Sequence, residues 1–329
     1  MGQEKKRNLT IADVAEALGV SRTTVSRAIS GKGRVGSATT KRVLEYIEKH
    51  HYKPNVIAKG LAQSKTYNIC VVMPEESDVT ELHFFRECMF GIQKIAGEKE
   101  YDILLVISPN KELSSLERVI SNRKVDGVIL MRTYAKDVHV EYLQSTKVPF
   151  VTIGSSTYKD IIQVDFDHRG ACKDLTTRLL NKGLKRIALL GGDENQPINQ
   201  MRAWGYRDAY EEARFVVEEE LLHFNLDNCM ISEQKIEALL AREIDGILCM
   251  DDAVCGSVLR ILKEKQIPIS DKITIASCYN SMVLQNHVPA ITTINFDANE
   301  VGKVACNTLL HMIEKKDVIQ KNLLPYQLV

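Results

Sequence analysis

The stretch Thr10-Ile11-Ala12-Asp13-Val14-Ala15-Glu16-Ala17-Leu18-Gly19-Val20-Ser21-Arg22-Thr23-Thr24-Val25-Ser26-Arg27-Ala28-Ile29 decides the fold of the first domain. Ile11, Val14, Ala15 and Leu18 recur at helical spacing and give a short helix one apolar face. Thr10 stands at its start, and Asp13 three residues on answers it at the positive helix end. Gly19 supplies a turn. Ser21 then caps a second helix, Arg22 to Ile29, in which Val25 and Ala28 face inward and Arg22, Thr23, Ser26 and Arg27 face out. Two short helices joined by a tight glycine turn form a helix-turn-helix, whose second helix lies in the DNA major groove.

Any helical bundle could share the apolar pattern, so the outward face and the charge carry the distinction. Arg suits guanine edges, and Ser or Thr suits bases or phosphates. Residues 1–66 hold 13 Lys/Arg against 5 Asp/Glu, whereas the remainder holds 30 against 38. A net charge of zero is therefore the sum of a basic head and an acidic body, the electrostatic footprint of a nucleic-acid binder.

A third helix follows, with Ser37 as its expected cap and Val43, Leu44, Tyr46 and Ile47 as its apolar side. It ends by His50, His51, Tyr52 and Pro54, because proline disfavours helix for the residue before it. The two histidines have no further ligand at zinc-like spacing and read as a solvated helix end, so no metal is expected. The segment Asn55 to Lys65 is too short and too poor in core residues to be a stable helix alone, and periodicity does not separate it from a plain linker.

Taken in order, Thr10-x-x-Asp13-Val14-Ala15, Gly19-Val20-Ser21, Thr24-Val25-Ser26-Arg27, Tyr52-x-Pro54-Asn55 and Ala58-x-x-Leu61-Ala62 resemble the lactose-repressor (LacI/GalR) family of bacterial transcription regulators. The resemblance implies a linker that folds into a hinge helix only on operator DNA, with Leu61 wedged into the minor groove. It implies DNA contacts from Arg22, Thr23, Ser26, Arg27, Asn55, Lys59 and Leu61. Gly60 departs from the helix-favouring residue usual beside that leucine and weakens a helix by about 1 kcal/mol relative to Ala.

Beyond residue 66, apolar runs alternate with helical patterns: Asn68–Met73, Asp102–Ile107, Gly127–Met131 and Phe150–Ile153, then Arg186–Leu190, Gly246–Met250 and Ile273–Ala276. Continuous β-branched runs spaced by helices indicate parallel sheets buried on both faces. The expected fold class is α/β: an all-α helix-turn-helix domain (1–54), a hinge (55–66), and a two-lobed body (67–329) with parallel sheets. The resemblance implies a body like a periplasmic sugar-binding protein. The lobes are expected at about 67–166 with 297–322, and at about 167–296 with 323–329.

Ligands in such folds sit at the carboxyl ends of strands, between lobes. Polar residues stand at those ends: Glu75, Glu76, Ser77 and Asp78 after the first run, Asp165 and Asp167 after Val164, and Asp251 and Asp252 after Met250. Strand-end acids also cap helices, a role at least as fitting for Asp167 and Asp252. The resemblance favours Arg202, because the family carries an effector-binding arginine three residues before the glycine matched by Gly205, and Asp251, at a position that also faces effector. The expected effector set is Ser77, Asp78, Arg202, Asp251 and Tyr279. Tyr279 stands where the family usually has an acid that grips the ligand, so a phenol replaces a carboxylate and the effector's identity does not carry over.

No phosphate loop of the G-x-x-x-x-G-K-[ST] type and no G-x-S-x-G elbow occurs, so no enzyme and no cofactor are expected. Gly191-Gly192-Asp193 reads as a plain turn. The eight cysteines lack C-x-x-C spacing, and there is no signal peptide and no apolar run of transmembrane length; a reduced cytoplasm and no membrane partner are expected. The chain ends at Leu324-Pro325-Tyr326-Gln327-Leu328-Val329, within an expected last strand and with no heptad tail, so the tetramer-forming helix of one branch of the family is not expected. A homodimer is the expected unit, because two heads must meet two half-sites. The function expected is a repressor of carbohydrate-utilisation genes that binds operator double-stranded DNA and is released by a sugar. Alternatives are a co-repressor or activator sign, or a sugar-binding transport-type protein.

Overall fold

The computed structural model describes residues 9–31, 33–52, 60–61, 63–75, 81–226, 231–269 and 273–329, with the side chains of 81 and 82 left aside. Two units are compact in themselves, Met1–Thr66 and Tyr67–Val329.

In the first unit, α1 (Ile11–Leu18) opens with a complete capping box: Thr10 Oγ1 accepts from Asp13 N, and Thr10 N donates to Asp13 Oδ2 at 2.7 Å. Gly19 closes it at φ 64°, a left-handed conformation that favours glycine and that sets the tight turn. Ser21 caps α2 (Arg22–Ser30) through Thr24 N at 3.0 Å. Val14, Ala15, Val25, Ala28, Val43 and Tyr52 form the small core. Two expectations fail on α3 (Ser37–Lys49). Its cap position is Gly36, with no side-chain cap bond, because Ser37 is already the first helical residue. Leu44 is 48 % exposed, since Val43 takes the inward direction.

The second unit is two α/β lobes. The first sheet orders its strands β11-β5-β4-β3-β1-β2, all parallel. These are β1 (Asn68–Met73), β2 (Asp102–Ile107), β3 (Gly127–Leu130), β4 (Phe150–Ile153), β5 (Ile162–Phe166) and β11 (Lys321–Leu324). The second sheet orders β12-β10-β9-β8-β6-β7, from β6 (Ile187–Leu190), β7 (Leu222–His223), β8 (Gly246–Cys249), β9 (Thr274–Ser277), β10 (Thr292–Asn295) and β12 (Gln327–Leu328). Its edge pair β10–β12 is antiparallel, an exception to the expected parallel pattern. In both sheets the strand order reverses direction, which opens a crevice at the strand ends.

Helices cover the sheets in chain order. In the first lobe they are α4 (Glu81–Glu98), α5 (Ser114–Ser121) and α6 (Val138–Ser145). The second lobe has α7 (His168–Asn181), α8 (Pro197–Glu212), α9 (Glu233–Leu240), α10 (Asp252–Glu264) and α11 (Met282–Gln285). Then α12 (Ala298–Ile313) returns to the first lobe and packs on α4, β3 and β4. The chain therefore crosses between lobes at Asp167, at Phe296–Asp297 and at Pro325–Tyr326. The last crossing falls beyond the 322/323 boundary read from sequence, because Lys321–Leu324 remain paired with β5. Seven described cysteines are buried and unbridged, and no described helix is long and apolar enough to cross a membrane.

Candidate functional site

On the head, the α2 face carrying Arg22, Thr23, Ser26 and Arg27 is exposed, while Val25 and Ala28 are buried against α1 and α3. Arg42 ties α3 to the end of α1 by donating to the Leu18 carbonyl at 3.2 Å. Gly60, Leu61 and Gln63 are helical, and Leu61 is an apolar side chain left 84 % exposed. Asn55 and Lys59 lie outside the described residues, as do Ser77 and Asp78.

In the body, a cavity of about 600 Å³ lies where the strand ends of the two lobes face each other. Arg202, Asp251 and Tyr279 all line it, from α8, the β8–α10 turn and the residues after β9. Arg202 is 4 % exposed, and its Nε has no hydrogen-bond partner among the described residues. It is held in place by its helix: Gly205, one turn on, packs directly against the Arg169 carbonyl of α7, where a Cβ would collide with backbone. Asp251 caps α10, its Oδ1 accepting from Val254 N at 2.7 Å. The capping role weighed for Asp252 thus belongs to Asp251, because Asp252 is already the first helical residue. Tyr279 stacks on Phe296 at 6.3 Å and 24°, and burial raises its phenol above the ordinary range.

Sequence reading missed a buried polar network on the same cavity. Ser155 Oγ donates to Asp165 Oδ2 at 2.7 Å, and His168 Nε2 stands 3.2 Å from Asp165 Oδ1. Burial alone would raise the Asp165 carboxyl; the attraction of His168 and the bonds from His168 and Ser155 hold it below its ordinary value. Asp167 caps α7 through Gly170 N at 2.9 Å, as a strand-end acid does. Arg132, after β3, lies 5.4 Å over the Phe85 ring. Asn199 donates to the Asp193 carbonyl at 2.9 Å. It stands three residues before Arg202, so the same helical spacing that presents one presents the other. Gly192 and Asp193 line the cavity too, which gives the plain turn a place in the site.

A second polar cluster resembles a hydrolase triad by composition alone. Ser108 Oγ is 3.0 Å from His139 Nε2, and Asp137 lies beside the same ring. Ser108 already donates to the Glu112 carbonyl at 2.7 Å, so the imidazole donates to it. Asp137 accepts from the N–H groups of His139 and Val140 as a helix cap. None of the three lines the cavity. The cluster pins the β2 and β3 loops together, with no nucleophile aimed at solvent.

Comparison with known proteins agrees with this geometry. Residues 10–55 match the family model described as bacterial regulatory proteins, lacI family, and residues 176–329 match a periplasmic binding protein-like domain. The chain is 30 % identical over 334 residues to the HTH-type transcriptional regulator pepR1 of Lactobacillus delbrueckii subsp. lactis, covering 98 % of this chain and 97 % of that one. Among solved structures, the lac repressor dimer bound to operator and the anti-inducer ONPF is similar with TM-score 0.78 and 21 % identity, covering 98 % of both chains. A transcriptional regulator CelR–cellobiose complex is similar with TM-score 0.72 and 24 % identity over the same share.

Proposed function

The chain belongs to the lacI family of bacterial regulatory proteins, and from that premise we propose that it represses carbohydrate-utilisation genes and leaves its operator when a small neutral sugar fills the cavity. Arg202 carries the sugar reading. It is an enclosed cation whose Nε has no partner among the described residues, and such a group is costly until an acceptor arrives. Sugar hydroxyls supply acceptors without adding charge. Asp165, Asp193, Asp251 and Asp252 line the same cavity and disfavour a phosphorylated ligand. A neutral disaccharide is the ligand named in the complex of CelR, whose fold this chain shares.

In this reading Arg22, Thr23, Ser26 and Arg27 contact the major groove, and Asn55, Lys59 and Leu61 act from the hinge. Two heads meet two half-sites, so the acting unit is a homodimer, working in the cytoplasm. Effector and operator are linked reciprocally, with a coupling of about 1–3 kcal/mol. The test is operator affinity at one fixed salt concentration, with and without saturating sugar, because phosphate contacts make affinity steeply salt-dependent. Weaker operator binding with sugar is expected. Tighter binding marks a co-repressor instead, and equal binding removes the sensor. Arg27→Ala costs about 1–3 kcal/mol of operator affinity if it reads a base edge; an unchanged gel-shift titration would sink that role.

A further inference from the structure

A second cavity, of about 660 Å³, lies behind the first. The two share one wall, made by Phe166, Tyr279 and Phe296. Those rings form a connected aromatic partition, with Phe166 and Phe296 centroids 4.7 Å apart and Tyr326 meeting Phe296 edge-on from the second chamber. The crossings at Phe296–Asp297 and Pro325–Tyr326 border this chamber, so anything bound there touches segments that join the lobes.

Two polar atoms in its lining are spare. Asn280 Oδ1 and Ser281 Oγ are enclosed and have no hydrogen-bond partner among the described residues. Ser281 stands at the start of α11, where serine ordinarily caps, yet its hydroxyl makes no cap bond. Enclosed polar atoms left unmatched cost about 1–3 kcal/mol each, so their presence beside a cavity points to an occupant that matches them.

The lining also fixes the occupant's charge. It contains no Lys or Arg among the described residues. Its three carboxylates are already engaged: Glu87 with Arg86 at 3.1 Å, Glu300 with Lys303 at 3.0 Å, and Asp297 as the cap of α12. Apart from His83, an anion meets no cation there, and a cation meets two carboxylates already ion-paired and a third engaged as a helix cap. Amides from Gln285, Asn295 and Gln327, over aromatic rings, suit an uncharged ligand with hydroxyls on its rim and C–H groups on its face.

We infer that the chamber behind Tyr279 is a second subsite for a neutral hydroxylated ligand, separate from the Arg202 cavity and sharing its aromatic wall. The inference rests on the carbohydrate reading of the first cavity. The test is calorimetric titration of the full chain with glucose and with cellobiose, with glucose 6-phosphate as the anionic comparison. Two equivalents of a neutral sugar are expected per chain. Arg202→Ala should remove one and keep the other. Ser281→Phe, which fills the chamber, should do the reverse, and the paired substitution Asn280→Ala with Ser281→Ala should weaken the second equivalent about tenfold or more without steric intrusion. A single equivalent abolished by Arg202→Ala overturns the second subsite and leaves the first standing. Two equivalents indifferent to both Ser281 variants, or a second equivalent of glucose 6-phosphate, also overturn it. A chain that binds neither sugar overturns the carbohydrate reading of both chambers.

Discussion

Two buried charges face the first cavity and are treated in opposite ways. Asp165 receives bonds from Ser155 and His168, and its carboxyl is held below its ordinary value. Arg202 is as deeply buried, yet its Nε has no partner among the described residues. A satisfied charge contributes to the fold before any ligand comes; an unsatisfied one is a cost the fold carries until ligand offsets it. The comparison therefore separates positions that build the cavity from positions that wait for its occupant, and the two kinds should answer mutation with different signs.

The largest effect falls on Arg202. Arg202→Met should lower sugar affinity by about 3 kcal/mol or more, since each hydrogen bond to a charged group is worth about 1.5–3 kcal/mol. The ligand-free protein should be no less stable, because an apolar isostere removes the cost of the buried charge. Calorimetry for binding and thermal unfolding for stability read the two terms separately. A variant that loses both together would show that Arg202 is structural, and the contrast with Asp165 would collapse.

Next is the support beneath it. Gly205 lies against the Arg169 carbonyl, so Gly205→Ala forces α8 away from α7 and should cost about 1–3 kcal/mol of stability. Because α8 carries Arg202, sugar affinity should fall as well. Trp204 sits on this helix, with Arg169 5.9 Å over its ring, and its emission reports the shift. Unchanged stability would mean that the Gly205 contact with the Arg169 carbonyl does not limit how closely α7 and α8 pack.

Asp165 gives the opposite pole. At neutral pH Asp165→Asn should destabilise by about 1–3 kcal/mol, with one of its two buried bonds reversed or lost. The sign with pH follows from the depressed carboxyl. A group whose folded value lies below its unfolded 3.8 contributes stability that is present above that value and disappears as pH falls through the lower, folded one. The gap between parent and variant should thus stay constant near neutrality and narrow below about pH 4. Denaturant midpoints measured at several pH values check it; a gap that widens in acid would mean that His168 and Ser155 do not stabilise the charged form.

These contrasts also explain what could be read in advance. The head was legible because its determinants are local: Thr10 and Asp13 are three residues apart, and Gly19 and Ser21 stand between two short apolar repeats. The body's sheets were legible where apolar runs are continuous, as in Gly127–Leu130 or Gly246–Cys249. Strands β5, β10 and β11 carry polar residues in the run, such as Gln163, Asp165 and Asn322, and so were hidden or blurred. Arg202 and Asp251 were found by resemblance, and Tyr279 as a departure from it. Ser155 and His168 were not found, because what joins them to Asp165 is the meeting of a loop with a helix start across a lobe crossing, which no local spacing records. The burial of Arg202 without a partner for Nε among the described residues was equally invisible, since sequence gives the charge but not its surroundings.

The smallest effect concerns a carboxylate that is satisfied but exposed. Thr10 and Asp13 exchange bonds at the start of α1, with the Thr10 N–H donating to Asp13 at 2.7 Å. Like Asp165, Asp13 is an acid accepting from neighbours; unlike Asp165, it keeps access to water, so losing its partner leaves no stranded charge. Thr10→Ala should therefore cost about 0.5–2 kcal/mol, the ordinary worth of an N-terminal cap, and it should act on the head alone. Operator affinity should fall with head stability while the apparent sugar affinity of the body, measured without DNA, stays unchanged. Thermal unfolding of the full chain should show the low-temperature part of the transition moved and the rest unmoved. If sugar affinity fell as well in the absence of operator, the two units would be coupled without DNA, and the separation of a locally capped head from a ligand-completed body would have to be abandoned.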